Sequence, residues 1–145
     1  MGPALVLETS FLIDLEREHA RGTAGPAIDF LEAHDNARLY VTFTVAGELA
    51  AGLSFSERTA WEEFLGPFYV LPSSPEVCWE YGQAYRYLQS TGRLIGGNDL
   101  WIAATAIAHR MPLVTGNLDH FSRVPRLEVR PYRGTRGKRR RTQRA

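Results

Sequence analysis

The chain has 145 residues, of which 44% are hydrophobic and 23% charged, as expected for one globular domain with its own core. It lacks an apolar run of the roughly 20 residues that cross a membrane, its N-terminus lacks the basic region of a signal peptide, and its single cysteine, Cys78, excludes an internal disulfide and a cysteine-built zinc site. We therefore expect a cytoplasmic protein without a membrane partner.

The net charge of +1 conceals an uneven distribution along the chain. Residues 133–145 hold seven of the 17 basic residues and none of the 16 acidic ones, which leaves a net charge of −6 for residues 1–132. We therefore divide the chain into a domain at 1–132 and a basic, flexible C-terminal tail at 133–145. The tail could attract RNA phosphates, although a solvated end without a binding role is the simpler interpretation.

The first half of the chain alternates short apolar runs with helical patterns. The predicted elements are, in order, a strand at 4–7, helices after Thr9 or Ser10 and at 27–34, a strand at 39–41, helices after Thr42 or Thr44 and after Ser56, and a strand at 68–71. The second half continues this alternation. A long helix is predicted at 75–91, and a second opens on Gly96 and Gly97 with Asn98 as its cap.

Two more strands complete the predicted sheet. A buried strand begins at Leu113 and ends in Thr115, Gly116 and Asn117, and a last strand at 127–129 lies at an edge. Alternating strands and helices predict an α/β fold of three layers, with a mostly parallel central sheet of about five strands and helices on both faces.

Acids and amides follow strands or lie on buried helix faces at four places: Glu8, Glu48, Asp99 and the pair Asn117/Asp119. Carboxylates are rarely buried unless they are paired or bind a metal. Strand C-termini and helix N-termini meet along one edge of a parallel sheet, so these groups should converge there. Without a matching Arg or Lys they would repel one another unless a divalent cation such as Mg²⁺ or Mn²⁺ lies among them.

Each of these residues also has a purely structural interpretation. Glu8 and Asp99 would be favoured near helix N-termini by the helix dipole, and Asn98 could be a simple cap. Glu48 could be a residue at the boundary of an apolar face, and Asp119 a loop acid. The sequence context of the whole set favours function over these separate explanations.

Four stretches resemble the motifs of the PIN domain. They are Val6-Leu7-Glu8-Thr9-Ser10-Phe11-Leu12-Ile13, Thr44-Val45-Ala46-Gly47-Glu48-Leu49, Asn98-Asp99-Leu100-Trp101-Ile102-Ala103-Ala104-Thr105-Ala106, and Leu113-Val114-Thr115-Gly116-Asn117-Leu118-Asp119-His120-Phe121. The resemblance covers residues 4–130. Length and motif spacing are most similar to VapC-type toxins of bacterial and archaeal toxin–antitoxin pairs.

The resemblance implies an Mg²⁺-dependent endoribonuclease in which Mn²⁺ can substitute. Glu8, Glu48 and Asp99 would hold the metal, with Asn117 or Asp119 completing the site, and all but Asp119 would count as catalytic. Thr115 would position water or phosphate, and in-line attack by water would leave a 5′-phosphate and a 3′-hydroxyl. A cognate antitoxin would cover the cleft, and the toxin would form a homodimer.

One position departs from the family pattern, because Glu8 stands where Asp is usual. Its carboxylate reaches one methylene further from the strand, and errors of about 1 Å in placement can cost on the order of a hundredfold in rate. Two alternatives to a toxin therefore stay open: an RNA-processing PIN nuclease without an antitoxin, and a degenerate PIN domain that binds RNA or protein with little or no activity. His120 could act as a base or ligand, but a structural role is the more common one.

Overall fold

The computed structural model describes residues 2–133, which form a sheet flanked by helices. The strands are β1 (Ala4–Leu7), β2 (Arg38–Thr42), β3 (Tyr69–Leu71), β4 (Leu113–Val114) and β5 (Val129–Arg130). The helices are α1 (Thr9–Arg21), α2 (Pro26–Ala33), α3 (Phe43–Ala51), α4 (Arg58–Leu65), α5 (Pro75–Ser90), α6 (Gly97–Ala108) and α7 (Leu118–Phe121), with a 3₁₀ turn at Leu53–Phe55.

The sheet has the strand order β3-β2-β1-β4-β5, and every neighbouring pair is parallel. Its central strand β1 is a continuous apolar run, in which Leu5, Val6 and Leu7 have no exposed surface. Such a run is typical of a parallel strand that is covered on both faces. The predicted α/β fold with a five-stranded sheet is confirmed, and the sheet is entirely parallel.

The topology creates a crevice between β1 and β4. From β1 the chain steps outward to β2 and β3, and it then passes back across β1 to β4 and β5. Right-handed crossovers consequently place α1 to α4 on one face and α5 and α6 on the other. Ligands of such sheets bind outside the carboxyl ends of the strands where the order reverses. Glu8 follows β1 at this point, and its backbone N–H donates to the carbonyl of Val114 at 3.0 Å.

The first residues of α1, α3 and α6 show which of the predicted N-caps are correct. Thr42 caps α3 by accepting a hydrogen bond from the Val45 N–H at 3.1 Å, as one of the two alternatives had it. α1 begins at Thr9 and α6 at Gly97, so the predictions of Thr9 or Ser10 and of Asn98 as caps are wrong. The physical reason is that these polar side chains lie within the first helical turn. Thr9 and Asn98 donate to Glu48 of α3, and Ser10 donates to Glu8, the residue before α1.

The C-terminal part of the domain differs in two details from the prediction. The edge strand β5 begins two residues later than the predicted start, and the short helix α7 between β4 and β5 was not predicted. Residues 134–145 of the basic tail lie outside the described residues, so its flexibility and its attraction for RNA stay predictions. No helix within residues 2–133 is long and apolar enough to cross a membrane.

Candidate active site

Glu8 is buried at the end of β1, with 5% of its surface exposed. Its Oε1 accepts hydrogen bonds from Ser10 Oγ at 2.7 Å and from Thr115 Oγ1 at 2.5 Å. The two hydroxyl oxygens in turn accept from the backbone N–H groups of Gly116 and Asn117, each at 2.9 Å. Because an ionised carboxylate can only accept, both hydroxyl groups donate to Glu8. The carboxylate therefore ties β1 to the loop after β4.

Glu48 reaches the same edge from the middle of α3. Its Oε1 accepts a hydrogen bond from Thr9 Oγ1 at 2.6 Å, and its Oε2 accepts one from Asn98 Nδ2 at 3.3 Å. Thr9 lies in the first turn of α1 and Asn98 in the first turn of α6. This carboxylate therefore joins three helices above the sheet, as expected from its place beside the apolar face of α3.

Asp99 lies in the first turn of α6 beside the imidazole of His120. The Oδ2 of Asp99 is 3.2 Å from Nδ1 of His120, and the same nitrogen is 3.1 Å from Nδ2 of Asn117. A proton on Nδ1 donates to Asp99, whereas an unprotonated Nδ1 accepts from Asn117. Asn117 also caps α7 by accepting from the backbone N–H of His120 at 3.4 Å. The structure therefore gives His120 a polar contact with a predicted ligand.

Glu8, Glu48 and Asp99 and the side chains that contact them form one closed ring of contacts, which we call the carboxylate ring. Glu8 and Thr9 adjoin in the chain, as do Asn98 and Asp99, and backbone and side-chain hydrogen bonds supply the other links. The members follow one another in the order Glu48, Thr9, Glu8, Thr115, Asn117, His120, Asp99, Asn98. Three of these members, Thr9, Asn98 and His120, were missing from the predicted site residues, and so was Ser10, which supports Glu8.

Two predicted site residues lie differently from what the resemblance implied. The Asp119 side chain is 77% exposed and pairs with Arg123 at 3.0 Å, so Asn117 rather than Asp119 is joined to the other acids. Thr115 has no exposed surface, and its hydroxyl proton is directed to Glu8. In the described conformation it is therefore placed to hold this carboxylate, and its predicted role in positioning water or phosphate stays a prediction.

The oxygen donors of the carboxylate ring suit a hard divalent cation in their chemistry. Within residues 2–133, neither Glu8 nor Glu48 forms an ion pair with an Arg or Lys side chain. In the described conformation, however, no three Asp, Glu, His or Cys side chains of these residues converge closely enough to hold a metal ion. Binding one would therefore require these side chains to move closer together.

Comparison with known proteins identifies the family. The sequence matches the PIN domain over residues 5–127. The chain belongs to the PIN-domain family. Ribonuclease VapC1 of Haemophilus influenzae strain R2866 is 30% identical over 85% of this chain and 93% of its own length. Ribonuclease VapC2 of Rickettsia felis is 33% identical over 63% of this chain and 72% of its own length.

Solved PIN-domain structures show the same fold. The crystal structure of VapBC2 from Rickettsia felis, bound to a DNA fragment from its promoter, covers 89% of this chain and 98% of the matched chain, with a TM-score of 0.77 and 25% identity. The structure of VapBC-1 from nontypeable Haemophilus influenzae has the same coverage, a TM-score of 0.74 and 28% identity. The predicted resemblance to the PIN-domain family is therefore confirmed.

Proposed function

We propose that this PIN domain is a metal-dependent endoribonuclease of the VapC type, which hydrolyses RNA phosphodiester bonds as the toxin of a toxin–antitoxin pair. The carboxylate ring at the reversal point of the sheet is the observation that carries the proposal. Glu8, Glu48 and Asp99 bring three acidic groups to one crevice, and Glu8 and Glu48 are bonded only to neutral donors within residues 2–133. The relatives named ribonucleases support RNA as the substrate.

The proposal includes Mg²⁺, or Mn²⁺ in its place, with Glu8, Glu48, Asp99 and Asn117 as its ligands. When bound, the cation would activate water and offset the negative charge that develops on the phosphate. The chemistry of the donor set supports this assignment, and a bound cation would offset the repulsion between the like charges of the three acids. The other side chains of the ring would hold the three carboxylates in place, since each acid already has a hydrogen-bond partner.

The supporting residues have separate tasks in this proposal. Ser10 and Thr115 hold Glu8 from one side, while Thr9 ties Glu48 to α1. His120 contacts Asp99 at the more exposed side of the carboxylate ring. There, 42% of the His120 side chain and 24% of the Asp99 side chain are accessible. The open part of the crevice therefore lies near Asp99 and His120, where a phosphodiester can approach.

The proposed partners are an RNA substrate, a cognate antitoxin and a second copy of the chain. A structure of a member of the VapBC family of toxin–antitoxin systems, VapBC-5 from Mycobacterium tuberculosis, matches 90% of this chain at 25% identity with a TM-score of 0.64, which supports the antitoxin. The homodimer rests on the motif resemblance alone. The proposal also includes a cytoplasmic location, where RNA is available.

One observation favours a second candidate function, that of a degenerate PIN domain which binds RNA or protein without cutting it. Glu8 replaces the usual Asp, and no three acidic, His or Cys side chains within residues 2–133 converge on a point. A protein of this kind would bind RNA equally well with and without a divalent cation. Metal-dependent cleavage separates the two candidates.

The test is cleavage of total RNA by the purified full chain with Mn²⁺ or Mg²⁺ and, in parallel, with EDTA. We expect products with 5′-phosphate and 3′-hydroxyl ends in the presence of metal and none in EDTA. Asp99→Ala should lower the rate on the order of a hundredfold or more, because it removes a charged group of the site. Asp119→Ala is the matched variant at an acid outside the ring, and it should cleave at nearly the rate of the natural chain.

Two outcomes would contradict the proposal. Cleavage that is equally fast in EDTA would rule out metal dependence. Absence of cleavage with either metal, together with no metal binding by calorimetry, would favour the degenerate PIN domain. An equal loss in the Asp99→Ala and Asp119→Ala variants would return Asp119 to the list of candidate ligands.

A further inference from the structure

The chain returns to the carboxylate ring after β5, where the guanidinium group of Arg133 lies against Gly116. A Cβ atom placed on Gly116 would be 3.0 Å from Arg133 Cζ and 3.2 Å from its Nη1. Gly116 stands between Thr115 and Asn117, which are both members of the ring. The residue at this position must therefore be small for the guanidinium to lie here.

Arg133 is held in this position by the first helix of the domain. Asp14 Oδ2 accepts from Arg133 Nε at 2.9 Å, lies 2.7 Å from Nη2, and accepts from the Tyr132 hydroxyl at 2.7 Å. Tyr132 is 2% exposed, and its ring packs edge-on against Phe11 at 4.8 Å. Burial and, after it, the hydrogen bond to Asp14 raise the pKa of Tyr132 above its ordinary value, so its hydroxyl stays a donor at neutral pH.

The same guanidinium keeps donors that the domain does not use. A guanidinium has five N–H groups, of which Asp14 takes up one at Nε and one at Nη2. The Arg133 side chain is 51% exposed, and its guanidinium lies beside the loop of the ring. A planar guanidinium with free N–H groups is well suited to bind a phosphate.

The negative charge of the crevice gives a positively charged donor at this place a role in binding RNA. The carboxylate ring carries three acids and would repel the phosphates of an approaching RNA. Arg133 places a positive charge at the rim of this crevice, against the loop that carries Thr115 and Asn117. A contact with a phosphate next to the one that is cut would offset the repulsion and fix the register of the strand.

We propose that Arg133 is a phosphate-binding residue for the RNA strand, held beside Gly116 by Asp14 and Tyr132. This inference rests on the proposed function and adds a positioning residue to it. Arg133 would bind a phosphodiester that flanks the scissile bond, and it would act on affinity and register. Six further basic residues follow Arg133 in the sequence, and their phosphate contacts would add to the one made here.

The test measures binding of a fluorescein-labelled single-stranded RNA of 20 nucleotides and mixed sequence to the full chain, in EDTA and over a series of NaCl concentrations. We expect Arg133→Gln to weaken binding roughly tenfold at low salt. It should also lower the slope of log K against log[NaCl] by about 0.7, the contribution of one phosphate contact on a single strand. Arg133→Lys should keep most of the slope.

A matched control is available near the amino end of β4, away from the carboxylate ring. Arg126 pairs with Glu80, is 61% exposed and borders a cavity with Pro112, the residue before β4. Arg126→Gln makes the same change of charge as Arg133→Gln, and we expect it to leave affinity and slope unchanged. Thermal unfolding of each variant detects a purely structural role, which would lower the unfolding temperature without changing the slope.

A second variant keeps the test valid if Arg133→Gln does not fold. Gly116 has no positive φ, so Gly116→Ala fits the backbone, and its Cβ would push the guanidinium aside by a few tenths of an ångström. It should weaken binding in the same direction as Arg133→Gln, by a smaller factor. Unchanged binding in both variants, or an equal loss in Arg126→Gln, would overturn the inference. If the natural chain cleaves RNA while Arg133→Gln binds normally, this inference alone fails. If the natural chain neither binds nor cleaves RNA, the proposed function fails with it.

Discussion

Two carboxylates are buried within residues 2–133, and they differ in what binds them. Glu18 of α1 is 1% exposed and accepts from the backbone N–H groups of Gly25, Ala27 and Ile28 at 2.8, 3.0 and 2.9 Å, so that both of its oxygens are used. Glu8 is 5% exposed and accepts from two hydroxyl groups, both at Oε1. Burial of an acid does not by itself identify a site, and these two acids differ in their donors, which are backbone N–H groups for Glu18 and hydroxyl groups for Glu8.

The surroundings of Glu18 explain why it is purely structural. Pro26 begins α2 and has no N–H, so the remaining N–H groups of the first turn converge on the Glu18 carboxylate. A Cβ on Gly25 would lie 2.7 Å from Cδ and Oε2 of Glu18, which leaves no space between them. The Glu18 site is closed to ligands, and its carboxylate stabilises the turn between α1 and α2.

The largest expected effect in this comparison is the loss of stability in Glu18→Ala. Removing the carboxylate leaves three N–H groups at a buried helix start without an acceptor, and we expect the free energy of unfolding to fall by about 3 kcal/mol. Cleavage per folded molecule should not change, because Glu18 lies outside the carboxylate ring. Urea unfolding and a cleavage assay at a temperature well below the transition measure the two quantities.

Glu32 of α2 provides the matched control for this variant. It is exposed, so Glu32→Ala should change stability by less than about 0.5 kcal/mol. A fall in cleavage per folded molecule for Glu18→Ala would break the comparison, since it would mean that the turn between α1 and α2 supports the ring.

The sequence predicted the strands and the four acidic motifs because both depend on local patterns. Apolar runs mark buried parallel strands, and the acids that follow them reach the carboxyl edge in any such sheet. Asn117 follows β4 and could be placed for the same reason, whereas Glu48 could be placed from its position beside the apolar face of α3. The partners of these acids could not, because a hydroxyl such as that of Thr9 contacts Glu48 only after α1 and α3 have packed.

Other features depended on contacts that no local pattern contains. The role of Glu18 required the chain to turn back at Gly25, although Gly25-Pro26 does mark the start of a helix. His120 could have been placed from one signal, since it stands three residues after the cap Asn117 and a cap bonds to that position. Arg133 belonged by sequence to a basic tail, and its contacts with Asp14 and Gly116, which join it to the domain, could not be read from that pattern.

The next effect concerns the length of the Glu8 side chain. We predict that Glu8→Asp raises Mg²⁺-dependent cleavage, by roughly tenfold, because it restores the usual motif acid and draws the carboxylate back toward β1 by one methylene. The measurement is the rate on the same RNA at saturating Mg²⁺, together with the affinity for Mn²⁺. Glu8→Gln, which keeps the length and removes the charge, is the control and should lower the rate.

The opposite result would also be informative about Glu8. Equal or lower cleavage in Glu8→Asp would show that the longer acid is the suited one in this chain. The reason would lie in the hydrogen bonds from Ser10 and Thr115, which a shorter side chain reaches less well.

The smallest effect tests the hydroxyl donors that distinguish Glu8 from Glu18. Thr115→Val keeps the shape of a fully buried side chain but removes one of the two donors to Glu8 and the acceptor of the Asn117 N–H. We expect the free energy of unfolding to fall by about 1 kcal/mol, and cleavage to fall several-fold. Urea unfolding and the cleavage rate provide the two readings.

Thr105 is the matched threonine, since it too has no exposed surface, but its hydroxyl donates to the Trp101 carbonyl of its own helix at 2.7 Å. That carbonyl is already in the hydrogen-bond ladder of α6, so Thr105→Val should cost less stability and leave cleavage unchanged. The combination of Thr115→Val with Glu8→Asp sharpens the test. If the shorter acid no longer reaches Thr115, the two changes will not add, and the coupling measures how strongly this hydroxyl holds Glu8. Full additivity would mean that Thr115 acts on the loop after β4 and not on the carboxylate.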